Sequence, residues 1–139
     1  MERPASLASK CAVFKEALQG FEASLSIDVS SFGLVVADAI RNGCIQKFEY
    51  CTELCWKLIR RFLLEMQGVK SNSPKSAAKE YFLAGFLNDE AYTELVAMLD
   101  DRNSLSHIYV RAEFDRVFST LPYRLELMKQ IGERICGSL

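Results

Sequence analysis

Net charge, histidine and proline are scarce in this chain. Seventeen lysines and arginines stand against eighteen acids, a formal net charge of −1. No global field therefore draws the molecule to nucleic acid or to an anionic membrane, and any contact with RNA has to come from a local basic patch. Three prolines in 139 residues leave few points at which a helix must break. The single histidine, His107, excludes multi-histidine metal sites. Cys51 and Cys55 lie one helical turn apart, but no second pair follows and structural zinc needs four such ligands, so neither metal nor cofactor is expected. No apolar run is long enough to span a bilayer, and no secretory segment opens at Met1-Glu2-Arg3-Pro4. Five cysteines, an odd number at irregular spacings, then read as reduced, buried thiols of a cytoplasmic protein.

What is present is apolar surface in helical period. Half of the residues are hydrophobic, enough for one domain over residues 1–139 to bury a core without disulfides or metals. Leu7, Cys11, Phe14, Leu18, Phe21 and Leu25 recur at steps of four and three and predict a helix from Ser6 to Leu25. Gly20 within it costs about 1 kcal/mol relative to alanine, which suggests a close helix contact there. Asp28, Ser30 and Ser31 are N-cap candidates for the next helix. Asn42-Gly43 favours a turn, yet Val36, Ile40, Cys44, Phe48, Cys51, Cys55, Leu58 and Phe62 keep one phase across it. One long helix from Ser31 to Gln67, closed by Gly68, is expected, with Glu53, Lys57, Arg60 and Arg61 on its solvated face and Trp56 in the core. Ser73-Pro74 opens a short helix to Ala84 or Gly85, and Asn88-Asp89-Glu90 opens another. Phe114, Phe118, Leu121, Leu125, Met128 and Ile135 mark the last, with a kink expected at Pro122. No strand candidate survives. The expected fold is all-α, an antiparallel up-down four-helix bundle with one additional short helix.

The stretch from Asp100 to Tyr109 departs from this scaffold pattern. Tyr92, Leu95, Val96 and Leu99 share a helix face that continues, at the same spacing, as Arg102, Asn103, Ser106 and Tyr109. Unpaired buried polar groups cost about 1–3 kcal/mol each, so these need partners or a task. Arg102 and His107 lie about 140° apart around a helix axis, an awkward pair within one chain and a better one if two copies of the helix meet at a shared cleft. Asn103 is spaced to orient the imidazole, Asp100 to pair with the arginine or the histidine, and Ser106 to share the Arg102 stripe. Arginine grips phosphate in a planar fork and histidine moves a proton near neutral pH. Together they suit metal-independent cleavage of RNA by its own 2′-hydroxyl.

The same stretch, Asp100-Asp101-Arg102-Asn103-Ser104-Leu105-Ser106-His107-Ile108-Tyr109, resembles the HEPN superfamily signature in its Arg-x4-His-x-Tyr form. Ile45 to Gly68, IQKFEYCTELCWKLIRRFLLEMQG, resembles the long helix of the nucleotidyltransferase substrate-binding protein family, which belongs to that superfamily. SPKSAAKEYFLAGFLND and the Met98-Leu99-x-x-Arg-Asn step are similar to the same family in the same order. The resemblance implies a helical homodimer that serves as substrate-binding or antitoxin-coupled partner of a separately encoded minimal nucleotidyltransferase. It also implies that Tyr109 is where related transferases attach adenylate. The alternative it allows is a HEPN endoribonuclease toxin using Arg102 and His107 on an RNA or nucleotide substrate; a third reading is a non-catalytic helical dimer. The chain is not expected to be the transferase itself. That chemistry needs a Gly-Ser turn followed by acids in Asp-x-Asp spacing, whereas Asp100 and Asp101 are adjacent and only Leu139 follows Gly137-Ser138.

Overall fold

The computed structural model describes residues 6–107 and 110–137, without the side chains of Ser106 and His107. Five α-helices and one 3-10 turn make up these residues, and no strand occurs among them: α1 (Leu7–Leu25), the turn Val29–Ser31, α2 (Leu34–Gln67), α3 (Pro74–Leu83), α4 (Asp89–His107) and α5 (Arg111–Cys136). The helix boundaries follow local capping chemistry. The Ser6 hydroxyl accepts from the Ser9 N–H, and Ser73 does the same for Ser76 ahead of Pro74. The Asn88 side chain accepts from the Ala91 N–H at 2.7 Å to open α4. Gly68 ends α2 with φ +67°, a left-handed conformation that a side chain disfavours, and its N–H bonds the Leu64 carbonyl.

α2 runs unbroken through Asn42-Gly43, as its hydrophobic phase requires, but starts three residues later than Ser31. Asp28 instead caps the 3-10 turn through the Ser30 N–H, and the chain is extended at Phe32 and Gly33. The expected core role of Val36 fails with this start: Leu34, Val35 and Val36 are exposed, and the buried face of α2 begins at Ala37.

α2 is the element that packs against all the others, α1, α3, α4 and α5. Phe14, Leu18 and Phe21 of α1 meet Phe48 and Cys51 of α2 in a core continued by Leu95 and Met98 of α4 and Leu121 and Met128 of α5. The ring of Phe21 lies 6.5 Å from that of Phe48. Across α1 and α5, Glu22 is paired with Lys129 and Cys11 with Cys136. α5 continues through Pro122.

Two expectations are corrected here. Cys11 and Cys136 form a disulfide, so five free thiols is wrong; Cys44, Cys51 and Cys55 are the free ones, all buried. The pairing was hidden from sequence because the two residues are 125 positions apart and meet only when α5 returns alongside α1. Gly20 marks no tight approach either, since a Cβ there would meet only the flexible end of Lys47 at 3.4 Å.

Candidate functional site on α4

The residues of the motif occupy the last two turns of α4, where successive positions point to different neighbours. Asp100 is exposed and its Oδ1 lies 2.6 Å from Lys75 Nζ of α3, rather than beside Arg102. Asp101 points the other way and is buried. Its two oxygens take Arg116 Nη2 at 2.7 Å and Arg124 Nη2 at 3.3 Å, both from α5. A buried carboxylate survives only where its charge is matched, and two guanidiniums match it here. Glu113 pairs with Arg116 and accepts from Ser104, while Glu94 takes the other side of Arg124. The hydrogen bonds to Glu113 and Asp101 hold Arg116 still more firmly cationic than a free guanidinium, and Arg116 in turn holds the Glu113 carboxyl below its usual value. This network fixes the end of α4 against α5.

Arg102 faces α2. Its Nη2 lies 3.5 Å from Glu53 Oε2, and the side chain keeps about a third of its surface exposed. Glu53 also accepts from the Trp56 indole N–H at 3.1 Å and pairs with Lys57 at 3.1 Å. Burial by itself would raise the Glu53 carboxyl; the bonds from Trp56 and Lys57 and the charge of Arg102 outweigh it, and the net shift is downward. Glu53 is thereby kept ionised opposite Arg102. Trp56 is 8% exposed, with the Arg60 guanidinium 4.8 Å from its ring centre, so the indole belongs to the core as its phase predicts. Asn103 is exposed on α4. Tyr109 and the side chains of Ser106 and His107 lie outside the described residues, and with them the expected general acid-base and the expected position of adenylate attachment.

Cys51 and Cys55 are buried in the core, and no group of three or more His, Cys, Asp or Glu placed to hold a metal occurs among the described residues. Burial raises the Cys51 thiol to about 12 and pushes Cys55 higher still, so neither supplies a thiolate near neutral pH. No helix of the described residues is long and apolar enough to cross a membrane.

What the motif offers chemically is one fixed, partly exposed guanidinium at the α2–α4 contact, backed by an acid and an indole. The role of Glu53 and Asp101 was missed from sequence. A signal existed for Asp101: it falls one turn beyond Met98 and one before Leu105, on the buried face, and Arg116 and Arg124 stand eight residues apart on one face of α5.

With α2 and α4 joined in this way, the long-helix segment and the motif become parts of one structural unit. Residues 9–135 match the family model described as nucleotidyltransferase substrate binding protein like. The chain belongs to that family. The match takes in Glu53, Trp56, Asp101 and Arg102 alike, so the site lies wholly within the family's extent. Among solved structures, the crystal structure of ttk003001694 from Thermus thermophilus is similar at 29% identity, with a TM-score of 0.77 over 88% of this chain and 98% of that one. No curated protein matches the chain.

Proposed function

We propose that this family member is the substrate-binding partner subunit of a separately encoded minimal nucleotidyltransferase, of the toxin-antitoxin type. The family match over residues 9–135 carries the reading. The fold belonging to it is a HEPN-like up-down bundle of α1, α2, α4 and α5, with α3 packed against α2 and α4, and the unit is a single domain. Two copies pair as a homodimer near the motif. Leu34 and Val35 support the pairing: they are 88% and 85% exposed in the first turn of α2, one turn before Asp38, which pairs with Arg111 of α5. Apolar side chains gathered at one end of a molecule mark a surface to be covered. The reading places the protein in the cytoplasm with its transferase and nucleotides; the Cys11–Cys136 bond weighs against that compartment, where thiols are kept reduced. Co-expression with the minimal nucleotidyltransferase of the same genome tests the assignment: a tagged chain retains the transferase through purification, and a transferase lost to the flow-through would end it.

A second reading, a metal-independent endoribonuclease, draws support from Arg102, whose guanidinium is held in place yet partly open to solvent. On this reading His107→Ala abolishes RNA cleavage without lowering the melting temperature, and Arg102→Lys loses most of it because the planar fork is gone. Cleavage that persists in His107→Ala, or that a chelator stops, would refute it. Tyr109 remains the proposed position of adenylate attachment.

A further inference from the structure

Away from the motif, α1 and α5 are tied to each other by the Glu22–Lys129 ion pair and, at the other end of the helix pair, by the Cys11–Cys136 disulfide. Cys11 lies in the second turn of α1 and Cys136 is the last residue of α5, so the bridge joins two helix ends. Both cysteines are half-buried at the margin of the core, with the equally half-buried Leu7 and Ile135 beside them in sequence. The core itself closes without the bridge, since Phe14, Leu18 and Phe21 of α1 and Met128 and Ile131 of α5 are buried farther along the two helices. What else holds the last turn of α5 is slight: Ile135, and the Arg134 guanidinium 5.3 Å from the centre of the Phe86 ring.

The other three cysteines supply an independent observation. Cys44, Cys51 and Cys55 are unpaired and at most 1% exposed, and burial raises all three thiols, Cys51 to about 12. They neither attack a disulfide nor are reached by one, so a thiol or disulfide in solution meets the Cys11–Cys136 pair alone. Three unpaired thiols out of five is not the pattern of an oxidising compartment, where cysteines are paired; in a reducing one, a disulfide is transient and redox-sensing or catalytic. The pair is also set to re-form after reduction. α1 and α5 remain docked through their buried side chains and Glu22–Lys129, with the two Cα atoms 5.9 Å apart, the separation that a bridge requires. Closure is then intramolecular, at a high effective concentration of one thiol beside the other.

We propose that Cys11 and Cys136 form a reversible redox latch, closed by a low-molecular-weight disulfide such as oxidised glutathione, whose reduction releases the start of α1 and the end of α5 while the core stays folded. Cys11 reacts first, because it lies near a helix N-terminus beside Lys10, whereas Cys136 ends a helix. Its thiol loses a proton, and the thiolate attacks one sulfur of the reagent, forming a mixed disulfide and expelling one thiolate. The Cys136 thiolate then attacks the Cys11 sulfur, which closes the bridge and expels the second thiolate. The two protons lost by the protein are taken up by the two departing thiolates, two electrons pass from the cysteine pair to the reagent, and excess thiol runs the same steps backward. With the latch open, Leu7 and Ile135 are held by partial burial alone, and the two helix ends fray into solvent.

Equilibrating the folded chain in mixtures of reduced and oxidised glutathione, then alkylating it without denaturant and weighing it, tests the latch. Cys11 and Cys136 are expected to become alkylated together as the mixture turns reducing, along one curve reached from either starting form, while Cys44, Cys51 and Cys55 stay unmodified until the chain is unfolded. Hydrogen exchange is expected to be about tenfold or more faster in residues 7–11 and 132–136 of the reduced chain, with the middle of α2 equally protected in both forms. The reduced chain should melt about 10 °C lower, because opening the bridge frees the long loop in the unfolded state. The Cys11→Ser/Cys136→Ser double variant should exchange like the reduced chain in every mixture. A bond that survives a large excess of reduced glutathione in the folded chain would make it a permanent staple and overturn the proposal. So would a reduced chain that oxidised glutathione does not close, exchange at the two helix ends that is the same in both forms, or loss of α2 protection on reduction.

Discussion

Replacing Asp101 with alanine removes the carboxylate on which two arginines of α5 converge. The two consequences differ in size. Arg116 has half of its side chain in solvent and keeps Glu113, so its loss is small. Arg124 is only 11% exposed and retains Glu94 at 3.3 Å as its single acid, so most of the cost falls there. Breaking a buried ion pair from one side costs about 3–5 kcal/mol, and the surviving Glu94 contact puts the expectation at about 3. A chain of 139 residues loses about 0.3 kcal/mol per degree near its midpoint, so the melting temperature should fall by about 10 °C. Urea denaturation followed by circular dichroism reads the same quantity, with the slope unchanged. The decisive version is a double-mutant cycle with Arg124→Met, in which the loss in the double variant should fall short of the sum of the two single losses by about 1 kcal/mol or more. Losses that add to within about 0.5 kcal/mol, or a single-variant loss below about 1, would refute the buried network as the anchor of α4.

Trp56→Ala should cost about 3–5 kcal/mol in the same assay, since the indole is buried and its N–H serves Glu53; a midpoint that hardly moves would contradict the burial. Gly20→Ala should raise stability by about 1 kcal/mol, because the added methyl meets only the end of Lys47 and the helix gains a better former; a loss would mean α1 and α2 approach more closely than this. Acid should destabilise the protein partly through Glu53. Its carboxyl is held below its usual value in the folded state, so its contribution is complete above the ordinary glutamate range and disappears as pH falls through the lowered value. Glu53→Gln should therefore flatten the stability profile on the acid side, and an unchanged profile would show that Arg102, Trp56 and Lys57 do not hold the carboxylate.

The first four helices were legible from punctuation and phase, a serine or asparagine cap, a proline at the first turn of α3, Gly68 at the end of α2 and a phase that Asn42-Gly43 could not disturb, whereas α5, which has no side-chain cap at Val110, was legible from its apolar phase alone. Legibility failed where the outcome depends on residues distant in sequence. Cys11 and Cys136 carry no mark of their pairing, and the apolar Leu34 and Val35 have the composition of core but no helix above them among the described residues. At the site, the polar turn of the α4 stripe was visible in the sequence; of its residues, Arg102 lies at a helix contact and Asn103 is exposed. Its partner Glu53 was not, because a glutamate spaced four residues before Lys57 already has a sufficient local explanation on α2. Asp101 was passed over for the opposite reason, as one acid in a polar run whose matching arginines lie 15 and 23 residues on.

The claim on which the rest depends is that this chain works as one subunit of a complex. Light scattering of the chain co-expressed with its minimal nucleotidyltransferase measures that directly, because the chain alone weighs 15.7 kDa. The account predicts a single species whose mass equals two copies of the chain plus bound transferase, formed at micromolar concentration. Elution of the chain by itself at 15.7 kDa, with the transferase in a separate peak, would contradict it.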